Sequence, residues 1–234
     1  MPSAIDAAAQ TLREDGLGFT ERNLLYAVRR AEGDRTTEQK FRTSLRRRLA
    51  RGPLPGLLPS SDSRSMRKLA RGLAEEWDAR PPAAVLLVDR PAIVGTFMAS
   101  GVSGSQRLAV VCIDGSPAPV VAALKRGLRA GHRAPVLYIH DAGTVIYPFS
   151  VEPLATILER SDPLAYADLG LAPLGTTARR FGDPKLPPGE LLFDLEAIPP
   201  AALVRYCSEA ARRLVPTASA RLTESGDRRR ARSR

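Results

Sequence analysis

Three aspartates stand at or just beyond the ends of three short apolar runs. Asp89 follows Ala84-Val85-Leu86-Leu87-Val88, Asp114 follows Leu108-Ala109-Val110-Val111-Cys112-Ile113, and Asp141 comes after Pro135-Val136-Leu137-Tyr138-Ile139 and His140. The runs are β-branched and continuous rather than alternating, which predicts parallel strands covered on both faces. The segments between them are long enough for helices, so β-α-β-α-β is expected from Ala83 to Phe149. Strands that all point one way would gather Asp89, Asp114 and Asp141 at the carboxyl edge of the sheet, where ligands sit. Three carboxylates there suit a hard cation. The same residues also fit a structural part: Asp114-Gly115 is a turn pair, and Asp89 shortly before Pro91 fits a helix start. His140 is a further candidate ligand, although alternation along the strand would point it away from Asp141.

A second chemical feature is cationic. The segment Glu38 to Ala50 reads as a helix carrying Lys40, Arg42, Arg46, Arg47 and Arg48, with Arg51 just beyond it and no acid after Glu38. The chain has a formal net charge of +10. Residues 1–80 hold 16 basic and 11 acidic residues, residues 81–215 hold 13 and 12, and residues 216–234 hold 6 and 2. The α/β core is thus nearly neutral, and the excess lies in its N-terminal neighbour and in the tail. That layout suits a polyanion, and the alternative is a solvated surface rich in arginine.

The elements that would carry these residues follow in order. Ile5 to Glu14 predicts a helix with Ile5, Ala8, Ala9 and Leu12 on one face. Gly16-Leu17-Gly18 ends it. Thr20 N-caps a second helix that runs to Arg30, with Leu24, Leu25 and Val28 inward and Tyr26 on another side. Thr36 or Thr37 opens the third helix, whose buried positions are Phe41, Leu45 and Leu49. The stretch Gly52 to Pro59 cannot be helical and suits a loop or wing. Three short helices, the last one basic and followed by a loop, form the pattern of a winged helix-turn-helix module. A plain helical subdomain with a basic outer face is the simpler alternative.

A linker helix from Met66 to Asp78, docked by Trp77, leads into the α/β part. There Pro91 to Ser100 is the first crossover, Gly101 to Gly104 a glycine and serine loop, and Ser116 to Ala130 the second crossover. Ala142 to Pro148 is expected to turn and add a short strand. Glu152 to Arg160 is expected to be helical, and residues 161–189 irregular. A last helix starts at Pro199-Pro200 and runs to about Leu214, with Leu203, Tyr206 and Cys207 inward. The divisions expected are 1–60 winged helix, 61–82 linker helix, 83–215 α/β domain and 216–234 basic disordered tail.

Hydrophobic content of 44% is ordinary for a globular chain. No apolar run approaches the roughly 20 residues of a membrane span. With no basic-then-apolar leader, a cytoplasmic protein is expected, associated with the nucleoid if it binds DNA. Cys112 and Cys207 have no metal-binding spacing, and Cys112 reads as inert core.

Two stretches together resemble the topoisomerase VI A subunits and the meiotic double-strand-break proteins. Phe19-Thr20-Glu21-Arg22-Asn23-Leu24-Leu25-Tyr26 is similar to the helix bearing their DNA-cleaving tyrosine, with Tyr26 on that position and Leu25 replacing the first of two aromatics. Leu86-Leu87-Val88-Asp89, Gly115-Ser116-Pro117, Ile139-His140-Asp141-Ala142-Gly143 and Leu169-Gly170-Leu171 resemble segments in and after their Toprim domain. The likeness spans about residues 15–175. It implies an N-terminal winged helix followed by a Toprim-like parallel-sheet domain of the α/β class. It also implies Tyr26 as nucleophile on a DNA phosphate, Arg22 one turn earlier as its cation, and Asp89 and Asp141 holding Mg2+. A homodimer on double-stranded DNA and a separate ATPase subunit of the B type are implied too. A phenol with a pKa of ~10 needs such activation. Two departures weigh against cleavage: Asp89 stands where the family has Glu, and Gly143 where it has a second acid; Asp114, which ends the intervening strand, is a candidate to compensate, although the family does not use that position in this way. Two further readings follow: a DNA-binding protein on the same scaffold without cleavage, and a hydrolytic nuclease that keeps the metal but not the tyrosine.

Overall fold

The computed structural model describes residues 3–32, 36–59, 77, 80–88, 90–105, 107–112, 122, 126, 134–140, 142–143, 166–168 and 192–214. Its N-terminal part has three helices: α1 (Ala4–Arg13), α2 (Glu21–Glu32) and α3 (Glu38–Leu49). Each start is dictated locally. The Ser3 side chain accepts from the Asp6 N–H to cap α1, and Thr37 accepts from the Lys40 N–H to cap α3. At α2 the Thr20 hydroxyl accepts from the Asn23 N–H at 3.1 Å, while Asn23 Oδ1 accepts from the Thr20 N–H at 2.9 Å. This is a reciprocal capping box with Asn in the place of the usual Glu or Gln. Phe19 before the cap and Leu24 after it are both fully buried in the same core, as in a hydrophobic staple.

That core gathers Ile5, Ala8, Ala9 and Leu12 of α1, Leu24, Leu25 and Val28 of α2, and Phe41 and Leu45 of α3. The loop after α3 returns to it. Phe19 and Leu57 form a parallel bridge, with the Phe19 N–H donating to Gly56 O and the Leu58 N–H to Phe19 O, each at 2.9 Å. Gly56 makes this possible: its φ is +84°, and a Cβ there would lie 2.9 Å from the Phe19 ring.

The second part is α/β. Strands β1 (Ala84–Val88), β2 (Leu108–Cys112), β3 (Val136–Ile139) and β5 (Tyr166–Asp168) form one parallel sheet in the order β2-β1-β3-β5. Val88 pairs with Cys112 on one side and Ile139 on the other, so the carboxyl ends of three strands finish level. Helix α4 (Pro91–Ala99) follows β1, with Pro91 in its first turn after an extended Arg90. Residues 200–214 form a further helix, α6. Ile93, Val94 and Phe97 of α4 and Leu203, Val204 and Cys207 of α6 share a core with Leu86, Val88, Val110, Leu137 and Ile139. A short antiparallel pair, β4 (Ala142–Gly143) with β6 (Leu192–Phe193), brings the chain before α6 beside the end of β3. A 3-10 turn, Leu195–Ala197, comes next.

Three expectations are corrected. The glycine and serine loop after α4 includes a helical turn, α5 (Val102–Ser105), started by Gly101 at φ +69° and by Ser100 Oγ accepting from the Val102 N–H. The supposedly irregular 161–189 contains β5, which is held by strand pairing to β3 rather than by any apolar pattern of its own. Tyr206 is 42% exposed rather than inward, because the inner stripe of α6 runs through Leu203, Val204, Cys207 and Ala211 and leaves it to one side. Trp77 is buried, while the rest of the expected 66–78 helix, the 152–160 helix and the 216–234 tail lie outside the described residues.

Candidate functional site

Helix α2 is buried on two sides. Leu24, Leu25 and Val28 face the helical core, and Tyr26 faces the segment after β6. Tyr26 is only 2% exposed. Its hydroxyl donates to Asp194 Oδ2 at 2.8 Å. Arg22 donates to the same oxygen through Nε at 2.8 Å and through Nη2, and Nη2 also reaches the Tyr26 hydroxyl at 3.2 Å. Asp194 Oδ1 accepts from the Glu196 N–H at 2.9 Å, which caps the 3-10 turn. Glu196 Oε1 accepts from the Thr20 hydroxyl at 2.5 Å, and its backbone carbonyl accepts from Asn23 Nδ2 at 2.7 Å. Arg90, from the start of α4, completes the group at 3.6 Å from Glu196 and 4.0 Å from Asp194. Arg30 donates to Ala197 O at 2.9 Å.

Two carboxylates thus face two guanidiniums, and the charges balance. Burial alone would raise the Asp194 pKa, but Arg90 and Arg22 outweigh it and hold this carboxyl below the ordinary value. Glu196 moves the other way: burial raises it, Thr20 opposes, and the neighbouring Asp194 charge adds to the rise. Burial also raises Tyr26, and Asp194 raises it further against the opposing pull of Arg22. The pair therefore joins a weakened acid to a weakened base, and moving the phenolic proton to Asp194 is uphill in both partners. Arg22 is held charged, since Asp194 overcomes the lowering effect of burial.

Sequence reasoning pairs Tyr26 with Arg22 correctly along one helical face, but does not single out Asp194, Glu196 or Arg90. A usable signal exists: Asp194-Leu195-Glu196 sits between an apolar pair and Pro199-Pro200, where two acids in a short apolar segment need partners.

Asp89, Asp114 and Asp141 lie outside the described residues. Among the described residues no group of three or more His, Cys, Asp or Glu side chains has a metal-binding arrangement. The His140 ring stacks on Tyr138 with centroids 4.8 Å apart. On α3 and beyond, Lys40, Arg46, Arg47 and Arg51 are exposed. Arg42 pairs with Glu38 on the surface, and Arg48 turns inward to Asp6 at 2.5 Å and to Gly52 O at 3.1 Å.

No family model, curated protein or solved structure matches this chain. Among the described residues no helix is long and apolar enough to cross a membrane.

Proposed function

We propose that this protein binds duplex DNA through a winged helix-turn-helix module formed by α1–α3 and the loop after them, carried on a Toprim-like α/β domain, without cleaving the strand through Tyr26. The observation that carries the second half is the Tyr26 hydroxyl, buried and donating to Asp194 at 2.8 Å. A phenolate formed there would face a carboxylate, and no phosphate can reach it while α2 is docked. The binding half is supported by the basic α3, whose Lys40, Arg46 and Arg47, with Arg51 beyond it, are exposed. The test is binding of a random-sequence duplex, followed by anisotropy across a salt series, with and without Mg2+ and with denaturing detection of covalent adducts. Salt-dependent binding without adduct is expected. An adduct that disappears in Tyr26→Phe and needs Mg2+ would overturn the reading.

One observation favours the cleaving alternative. Arg22 Nη2 lies 3.2 Å from the Tyr26 hydroxyl, so a cation already accompanies the phenol. In that reading α2 separates from Asp194 when a homodimer and an ATPase partner engage DNA, and the adduct appears only with that partner present. The level ends of β1, β2 and β3 support the nuclease reading, in which cleavage survives Tyr26→Phe.

A further inference from the structure

The cations of α3 do not form one surface. Arg42 and Arg46 lie on one side. Lys40, Arg47, Arg48 and Arg51 line a groove of about 320 Å³ between α3, the start of α1 and the end of α2. Ser44 adds an exposed hydroxyl, and Glu32 is the one acid among the lining residues. The Glu32 carboxylate is engaged by the Thr36 hydroxyl at 2.8 Å, and Arg48 is fixed by Asp6 and Gly52. Among the described residues, no ion pair occupies Lys40, Arg47 or Arg51. Resting on the DNA-binding reading above, we infer that this groove, rather than the Arg42–Arg46 side, is the seat of the nucleic-acid backbone and takes successive phosphates of one strand.

Two features select a phosphate strand. Lys40, Ser44 and Arg47 or Arg48 recur once per turn of α3, at steps of ~5.4 Å along the axis, and Arg51 follows just past its end, so donors repeat along a line as phosphates do along a strand. Arginine forks match phosphate oxygens in a planar, two-point manner, and the exposed Ser44 hydroxyl can contribute a further phosphate bond. Arg48, locked by two partners, sets the position of the groove wall, while Lys40, Arg47 and Arg51 supply the adjustable cations.

The experiment compares Lys40→Ala/Arg47→Ala/Arg51→Ala with Arg42→Ala/Arg46→Ala by fluorescence anisotropy on one duplex across a salt series. Arg48 is left intact because of its bond to Asp6, and circular dichroism confirms that both variants keep their helices. The groove variant should bind at least ~30-fold more weakly, and its log–log salt slope should be shallower by roughly 2 to 3, close to 0.9 for each phosphate that is no longer neutralised. The Arg42/Arg46 variant should lose less on both measures. A groove variant that binds as wild type, while Arg42/Arg46 carries the loss, overturns this inference and leaves DNA binding standing. Wild type that shows no salt-dependent binding overturns both. Polyglutamate that displaces the duplex as well as a competing duplex of equal charge overturns the phosphate assignment in favour of carboxylates.

Discussion

Tyr26→Phe removes one hydroxyl from a closed network and leaves the ring in place. The lost bond ends on an ionised carboxylate, and bonds to charged groups contribute about 1.5–3 kcal/mol. Asp194 keeps both Arg22 bonds and the Glu196 N–H, so it is not orphaned, and the lower end applies: a loss of ~1.5 kcal/mol. For a chain of 234 residues this corresponds to a fall of roughly 3–6 °C in Tm. Urea unfolding followed by the single tryptophan, the buried Trp77, measures it, and the m-value should stay unchanged. Asp194→Asn should cost more, about 2–3 kcal/mol. Breaking a buried pair costs more than that in general, but Arg22 is 36% exposed and regains some water. The double variant should then fall short of the sum by ~1 kcal/mol. A Tyr26→Phe protein as stable as wild type, with no coupling to Asp194→Asn, refutes the view that this bond fastens α2 to the α/β part.

Further outcomes follow from the same geometry. Glu196, raised by burial, favours the folded state more as pH falls through its folded pKa toward 4.5; Asp194, held low by Arg90 and Arg22 against burial, withdraws stability as pH falls below 3.8. Stability measured by urea midpoint should therefore rise and then fall on acidification, and Asp194→Asn should abolish the falling limb due to this group. Thr20→Ala loses both the cap of α2 and the bond to Glu196, and should lower unfolding free energy by about 1–2 kcal/mol in the same assay. Gly56→Ala should destabilise by ~1–3 kcal/mol, since it combines a positive φ with a clash against Phe19 and Arg13. Cys207, whose thiol burial pushes up to about 12, should resist a thiol reagent at pH 8 until urea unfolds the chain.

Where local pattern and tertiary demand coincide, the chain is readable. The continuous Val, Leu and Ile runs of β1 to β3 announce burial on both faces, and α1 and α3 repeat apolar residues at helical spacing after a serine or threonine N-cap. At α2 the same reading places Tyr26 away from Leu24 and Val28, but not against Asp194, 168 residues later, because a pairing at that separation leaves no periodic trace. Strand β5 is missed for a related reason: three residues are too few to show alternation, and their hydrogen bonds come from β3. Tyr206 misleads because an aromatic three residues after Leu203 looks inward until the whole stripe of α6 is laid out. The division of the α3 cations between two sides depends on where α1 crosses, which composition does not carry.

The stitching of α2 to residues 194–197 also sets an order of events during synthesis. Thr20, Arg22, Asn23 and Tyr26 find their partners 168 to 176 positions downstream. While the ribosome is still making the sheet, the helical module can collapse on its own apolar side, yet its polar side stays wet and unmatched. A chain cut before residue 194 would therefore keep the apolar side of α2 covered and leave Thr20, Arg22, Asn23 and Tyr26 to water.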